Sequence, residues 1–186
     1  MSAPARVRNV YDALREVPSQ LVAEVIRGVL HTHPRPAARH ARAATRLGNR
    51  LAGFDGDDPS GPGGWIMLDE PELHLGADVL VPDLAGWRRT RMPELPDVAA
   101  FELAPDWVCE VLSPGTTAVD RAEKLPIYAA HGVAHAWLVD PLEKTLEVLQ
   151  LEGGRWLLLG VHRNDARVRA APFDAIELEL AALWAR

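Results

Sequence analysis

The sequence predicts an α/β or α+β protein folded as one domain, and three observations carry that expectation. Seven short runs of strand-forming residues are spread over 65–161, and separate segments before and among them have helical patterning. The chain has 186 residues, 48% of them hydrophobic and 25% charged, which suits one core and excludes a disordered or collagen-like chain. No apolar run approaches the roughly 20 residues that a membrane-spanning helix needs.

Taken in order, residues 9–16 read as a short helix stopped by Pro18. Residues 20–26 and 29–33 are strand-like, and Arg27-Gly28 between them can turn, so a hairpin is expected. After Pro34 and Pro36, the Ala- and Arg-rich run 37–51 reads as a helix whose Arg39, Arg42, Arg46 and Arg50 share one face. That stripe is either a solvated surface or a phosphate-facing one. Residues 53–64 carry five Gly, two Pro and three Asp and read as a loop. Strands are then expected at 65–68, 72–75, 78–87, 106–112, 134–139, 145–151 and 156–161, the last two joined through Gly153-Gly154. Residues 118–131 are helical in pattern, with Pro126 expected to kink or divide the helix. Within one domain spanning 1–186, the expected parts are a hairpin and helix over 9–52, a core over 65–161 and a C-terminal extension over 162–186.

The net charge of −6 hides an uneven distribution. Residues 1–50 carry +6, residues 51–110 carry −10 and residues 111–186 carry −2. Only two of the 20 basic residues are lysines, Lys124 and Lys144. An acidic total argues against strong nonspecific attraction to phosphate. The single cysteine, Cys109, cannot close an intrachain disulfide, and no apolar leader follows Arg6 and Arg8, so a cytoplasmic location is expected.

Three acids occupy awkward places. Glu24 lies in an apolar strand run, Asp83 follows Val79-Leu80-Val81-Pro82, and Glu110 lies within Trp107-Val108-Cys109-Glu110-Val111-Leu112. Burying a carboxylate is costly unless it is paired or binds a metal, and an edge strand facing water is the alternative for each. Asp83 and Glu110 on neighbouring strands could hold a hard cation such as Mg²⁺, which would activate water against a phosphodiester. Asp120, Lys124 and Tyr128 are spaced by four and share a helix face, which also fits an ordinary solvated Asp–Lys pair.

Several motifs then occur in order. They are Ala23-Glu24-Val25-Ile26-Arg27-Gly28, Pro34-Arg35, His40, Val81-Pro82-Asp83, the run from Pro105 to Pro114, Asp120 with Lys124, Tyr128 with Gly132-Val133, and Trp137-Leu138-Val139-Asp140-Pro141. This set resembles the Uma-type putative restriction endonuclease family of the PD-(D/E)XK nuclease superfamily, over roughly residues 20–160. The resemblance implies a restriction-endonuclease-like core, with a central mixed β-sheet flanked by helices. It implies a DNA endonuclease dependent on Mg²⁺ or Mn²⁺, in which Asp83 and Glu110 bind the metal and Glu24 is the additional acid. Leu112 stands where the usual lysine two places after the second acid would be, so the resemblance makes Lys124 the catalytic lysine. Asp120, Tyr128 and His40 are implied in the cleft, and Arg39, Arg42 and Arg46 are candidate DNA contacts. The alternative function is a catalytically inactive nuclease fold that binds nucleic acid or protein.

Other residues fit blander roles. His31 and His33 share a strand face without a third ligand nearby, Cys109 points opposite to Glu110 into the core, and Glu72 and Asp78 flank a turn or the site. A homodimer is expected from the general frequency of twofold oligomers. If Asp83, Glu110 and Lys124 were unrelated surface groups, they would lie more than about 10 Å apart.

Overall fold

The structure, a computed structural model, describes residues 9–56 and 61–185. The stretch scanned for a leader (1–8) and the centre of the glycine-rich loop (57–60) lie outside the described residues. Helix α1 (Val10–Arg15) starts where the Asn9 side chain accepts the Asp12 N–H at 2.8 Å. The hairpin forms from β1 (Leu21–Ile26) and β2 (Val29–Pro34). Its turn residues Arg27 and Gly28 both have positive φ, at 51° and 79°, the geometry of a tight I′ turn. Helix α2 (Ala38–Leu51) buries Ala43, Leu47 and Leu51 along one stripe and turns its arginines away from it.

The strands continue as β3 (Trp65–Asp69), β4 (Leu73–Leu75), β5 (Asp78–Leu80), β6 (Leu84–Arg88) and β7 (Trp107–Val111). Further on come β8 (His135–Asp140), β9 (Thr145–Glu152), β10 (Arg155–Arg163), β11 (Arg167–Val168) and β12 (Leu178–Glu179). They build a six-stranded mixed sheet in the order β10-β9-β8-β7-β6-β3, parallel only between β7 and β8. A four-stranded antiparallel sheet, β2-β1-β5-β4, stands beside it, and β11 pairs with β12.

Residues 78–87 do not form the one strand expected from the sequence. The run breaks at Val81-Pro82-Asp83, with β5 in the small sheet and β6 in the large one. Pro82 has no N–H to give to a ladder, so the chain changes sheets there. The helical segment after β7 is also divided: α3 (Thr117–Val119), a π-helical turn (Asp120–Lys124) and α4 (Leu125–Ala130). Pro126 would press on the carbonyl of Ala122 in a regular α-helix, and the wider turn just before it relieves that contact.

Two cores lie on opposite faces of the large sheet. β7 is buried throughout and sends Val108 and Glu110 to one side and Trp107, Cys109 and Val111 to the other. Ile26, Leu73, Leu80, Trp87, Tyr128 and Leu138 fill the first core, between the two sheets and α4. The second contains α2, residues 168–183 and an aromatic cluster around Phe173. The Phe173 ring lies 4.8 Å from Phe54, 4.9 Å from both Trp65 and Trp107, and 5.5 Å from Trp137. Gly86 lets the sheet close beneath this cluster, because a Cβ there would meet the Met67 sulfur at 2.8 Å. Among the described residues, no helix is long and apolar enough to cross a membrane.

Replacing Phe173 with Ala removes the shared centre of four aromatic contacts and should cost about 3–5 kcal/mol, a fall of roughly 6–20 °C in melting temperature by calorimetry. Cys109 is fully buried, and burial followed by the charges of Asp83 and Glu110 pushes its thiol well above the usual range. A thiol reagent should therefore leave the native protein unlabelled and label one sulfur per chain in denaturant; rapid native labelling would contradict the packing of β7.

Candidate active site

The site forms where the two sheets meet. The hairpin register sets Glu24 opposite His31, and the strand alternation points Glu24 toward the seam, where it is 1% exposed. Glu24 Oε1 accepts the Val81 N–H at 2.8 Å, just before Pro82. On the other side of that proline, Asp83 Oδ2 accepts the Val111 N–H at 2.7 Å from β7. Glu110, one residue before Val111, turns into the same space and is 3% exposed.

Lys124 comes from the π-helical turn and places Nζ among these acids. It lies 2.9 Å from Glu24 Oε1, 3.4 Å from both Glu110 oxygens and 3.4 Å from Asp120 Oδ1. The Tyr128 hydroxyl donates to Glu110 Oε1 at 2.7 Å. His40, from the first turn of α2, approaches Asp83 Oδ2 through Nε2 at 3.4 Å, while its buried Nδ1 has no partner. Glu110 and Lys124, 3.4 Å apart, are not unrelated surface groups, and Asp83 lines the same cleft.

The electrostatics follow from burial and crowding. Burial would pull the Lys124 ammonium down, but Glu110, Glu24 and Asp120 outweigh it and hold the group above its ordinary value, so it stays charged. Burial pushes the Glu110 carboxyl well up; Lys124 opposes this, and Asp120, Asp83 and Glu24 reinforce it. Asp120 is also raised by burial, against the pull of Lys124. For His40, the loss of solvent is outweighed by Asp83, and the imidazole is raised. Burial, then Glu110, raises the Tyr128 hydroxyl well above its usual range, so it remains a donor.

Five carboxylates, Glu24, Glu70, Asp83, Glu110 and Asp120, thus line a cleft of about 400 Å³ together with Lys124, Arg35 and His40. Lys124 and the more exposed Arg35 leave surplus negative charge among these acids, and hard oxygen donors with excess charge fit a divalent cation. Among the described residues, no three His, Cys, Asp or Glu side chains are already spaced to close on an ion. Lys124 stands between Glu24 and Glu110 and satisfies the charges that an ion would otherwise meet.

The sequence-derived candidates divide cleanly. Glu24, Asp83, Glu110, Asp120, Lys124 and His40 line one cleft, and Tyr128 bonds to Glu110 behind it. Arg39 and Arg42 are exposed and Arg46 is half-buried on the outer side of α2, and none of the three lines the cleft. Arg42 Nε donates instead to the Ala185 carbonyl at 3.4 Å. Asp78 serves the hairpin turn, accepting the Arg27 N–H at 2.6 Å, and Glu72 pairs with His74 at 2.7 Å.

His33 was missed as a neighbour of the acids; its Nε2 lies 3.8 Å from Glu24 Oε2. Counting the hairpin outward from Arg27-Gly28 pairs residue 24 with 31 and residue 22 with 33, so the signal was present in the sequence. Arg35 and Ser113, both within motifs that carry the family resemblance, also line the cleft, as does Thr116, which no motif or spacing rule singles out.

Comparison with known proteins agrees with this architecture. A crystal structure of a putative nuclease belonging to DUF820 from Anabaena variabilis ATCC 29413 superposes with a TM-score of 0.75 at 22% identity, covering 95% of this chain and 97% of that one. At that identity the likeness establishes the fold. No curated protein matches the chain. The Uma2 family model, described as "Putative restriction endonuclease", matches residues 10–182. With nearly its whole length matched, the chain belongs to the Uma2 family.

Proposed function

We propose that the chain is a metal-dependent endonuclease that hydrolyses DNA phosphodiester bonds, with Mg²⁺ or Mn²⁺ as the cofactor. The observation that carries this reading is the buried Lys124 ammonium among Glu24, Glu110 and Asp120, in the same cleft as Asp83. A structural ion pair needs one acid, whereas this lysine faces three and leaves charge to spare. In the proposed assignment Asp83, Glu110 and Glu24 hold the metal. When bound, such an ion polarises a phosphoryl oxygen and lowers the pKa of water.

The chain's own groups supply the rest. Lys124, kept protonated by its neighbours, offers a fixed positive charge to the attacking water or to the negative charge that develops on phosphorus. Asp120 orients the ammonium from one turn earlier, at 3.4 Å. Tyr128 donates to one oxygen of Glu110 and limits the rotation of that carboxylate. His40 does the same for Asp83 from the opposite wall.

A second reading, a nuclease fold without catalysis, is favoured by one observation: Lys124 already occupies the space between Glu24 and Glu110. Metal binding separates the two. Titration with Mn²⁺ should release or absorb heat in wild type, and about 100 Kd of the ion should raise the melting temperature by roughly 5–11 °C, the equivalent of about 2.7 kcal/mol. Asp83→Ala should show neither effect. Absence of both in wild type supports the inactive reading.

Activity is read on circular DNA, single-stranded or supercoiled, with Mg²⁺ or Mn²⁺. Wild type should produce nicks, and Asp83→Ala and Lys124→Ala, checked for folding by circular dichroism, should reduce the rate by roughly 10²–10³-fold or more. Equal cleavage by wild type and both variants would mean that the activity belongs to a contaminant.

A further inference from the structure

A second cavity of about 600 Å³ adjoins the acidic cleft, and Val22, Arg35, Glu70 and Val81 belong to the walls of both. The two recesses meet where β1 and β5 diverge, because those strands pair only at Val25 and Val79. The walls they share include an exposed ion pair, Arg35 Nη1 to Glu70 Oε2 at 2.8 Å, with Arg35 Nη2 also donating to the Ser19 carbonyl at 3.2 Å. Exposed pairs of this kind are held weakly, so the guanidinium is free to exchange one anion for another.

We infer that the two cavities form one groove for single-stranded DNA, with the scissile phosphate in the acidic recess, the adjoining nucleotides in the larger one, and Arg35 on the phosphate between them. The inference rests on the nuclease reading of the same site. Three observations carry it. The carboxylates are recessed: Glu24, Glu110 and Asp120 are 1–3% exposed at the bottom of a 400 Å³ cleft, the size of a pocket that encloses a small ligand. The more exposed lining residues 34–37, Ser113, Gly115 and Thr116 stand nearer solvent than these acids, an arrangement that favours the more flexible backbone of a single strand over a duplex.

The walls also suit bases. Val22, Pro34, Pro36 and Val81 give the acidic recess apolar walls above its acids, and the larger cavity presents the Tyr11 ring, 36% exposed, beside Pro18, Leu21 and His74. Aromatic faces over which bases stack, with a cation on the backbone, are what single strands bind. Tyr11 is held in place by its hydroxyl, which donates to the Ala77 carbonyl at 2.7 Å, so its ring is presented by a fixed side chain. Finally, the basic stripe of α2 does not line either cavity, which leaves Arg35, with Arg15 on the far wall, as the groove's own arginines.

The test is fluorescence anisotropy of a labelled 20-nucleotide single strand and of the same sequence as duplex, with the full chain and Ca²⁺ at low salt. The single strand should bind at least tenfold more tightly than the duplex. Arg35→Ala and Tyr11→Ala should each weaken single-strand binding roughly five- to a hundredfold; Tyr11→Phe, which keeps the ring but loses the bond to Ala77, should lose less than Tyr11→Ala, and Arg163→Ala, on strand β10 and lining neither cavity, should bind as wild type does. Thermal melting of each variant guards against misfolding, and Arg35→Ala against Arg163→Ala keeps the comparison valid if Tyr11→Ala unfolds. Equal or tighter duplex binding, unchanged binding by both Arg35→Ala and Tyr11→Ala, or no binding of either probe would overturn the inference. Binding is read without cleavage, so an inactive protein that still prefers the single strand would sink the nuclease reading and keep the groove. Cleavage without that preference would do the reverse.

Discussion

The buried ammonium of Lys124 is the interaction on which the arrangement of the site depends. An unpaired charge in such a place would be strongly destabilising, and here the cation and the acids are mutually necessary. Glu24 comes from the hairpin, Glu110 from the central strand, and Asp120 and Lys124 from the helical segment that follows it. One nitrogen therefore ties the small sheet, the large sheet and the helix at a single point. The tie is specific about geometry: Nζ is 2.9 Å from one acid and 3.4 Å from two others, so a shift of any one element breaks a contact with another.

The helix segment meets this demand by departing from regular geometry. In a uniform α-helix, residues four apart drift around the axis by about 40° at each step, so a third residue at that spacing lies well off the face of the first. The π-helical turn between Asp120 and Lys124 is wider and lags in the opposite sense, and the α-helical turn that follows restores the phase at Tyr128. Asp120 and Lys124 then form a contact at 3.4 Å, and both Lys124 and Tyr128 reach Glu110. The same widening accommodates Pro126, so one local irregularity answers both a steric problem and a positioning one.

Much of this was legible in the sequence, and what was not has a physical reason. The hairpin followed from two strand-forming runs around Arg27-Gly28, the other strands from short runs of strand-forming residues, and Glu24, Asp83 and Glu110 from carboxylates in apolar surroundings. The strand expected over 78–87 failed because its apolar residues run on past Pro82, while the missing N–H at that proline moves the chain from one sheet to the other. Periodicity reports which residues are buried but not in which sheet. The arginines of α2 show a related limit: their spacing correctly put them on one face, yet the orientation of that face is set by Ala43, Leu47 and Leu51 packing on the sheet, and it points them away from the acids. Lys124 was identified through a family resemblance, since a lysine four residues after an aspartate reads equally well as a solvated pair until a third element closes over it.

The break at Pro82 also explains why the acids meet where they do. Val81 gives its N–H to Glu24, and Asp83 receives one from Val111, so the crossover between sheets is stitched to both of them by carboxylates. Each of these acids therefore has a structural partner and a surplus of negative neighbours at once. Burial, with Asp120, Asp83 and Glu24 beside it and against the pull of Lys124, raises the affinity of Glu110 for a proton, so ionising every acid of the cluster works against burial and mutual repulsion. A single lysine relieves only part of that strain. Neutralising one acid would relieve more of it at the expense of the cleft's negative charge, so stability and the charge of the site pull in opposite directions at the same residues. The net charge of −6 is a poor guide to such a site, because the deciding quantity is how much uncompensated charge the fold concentrates at the seam of its two sheets.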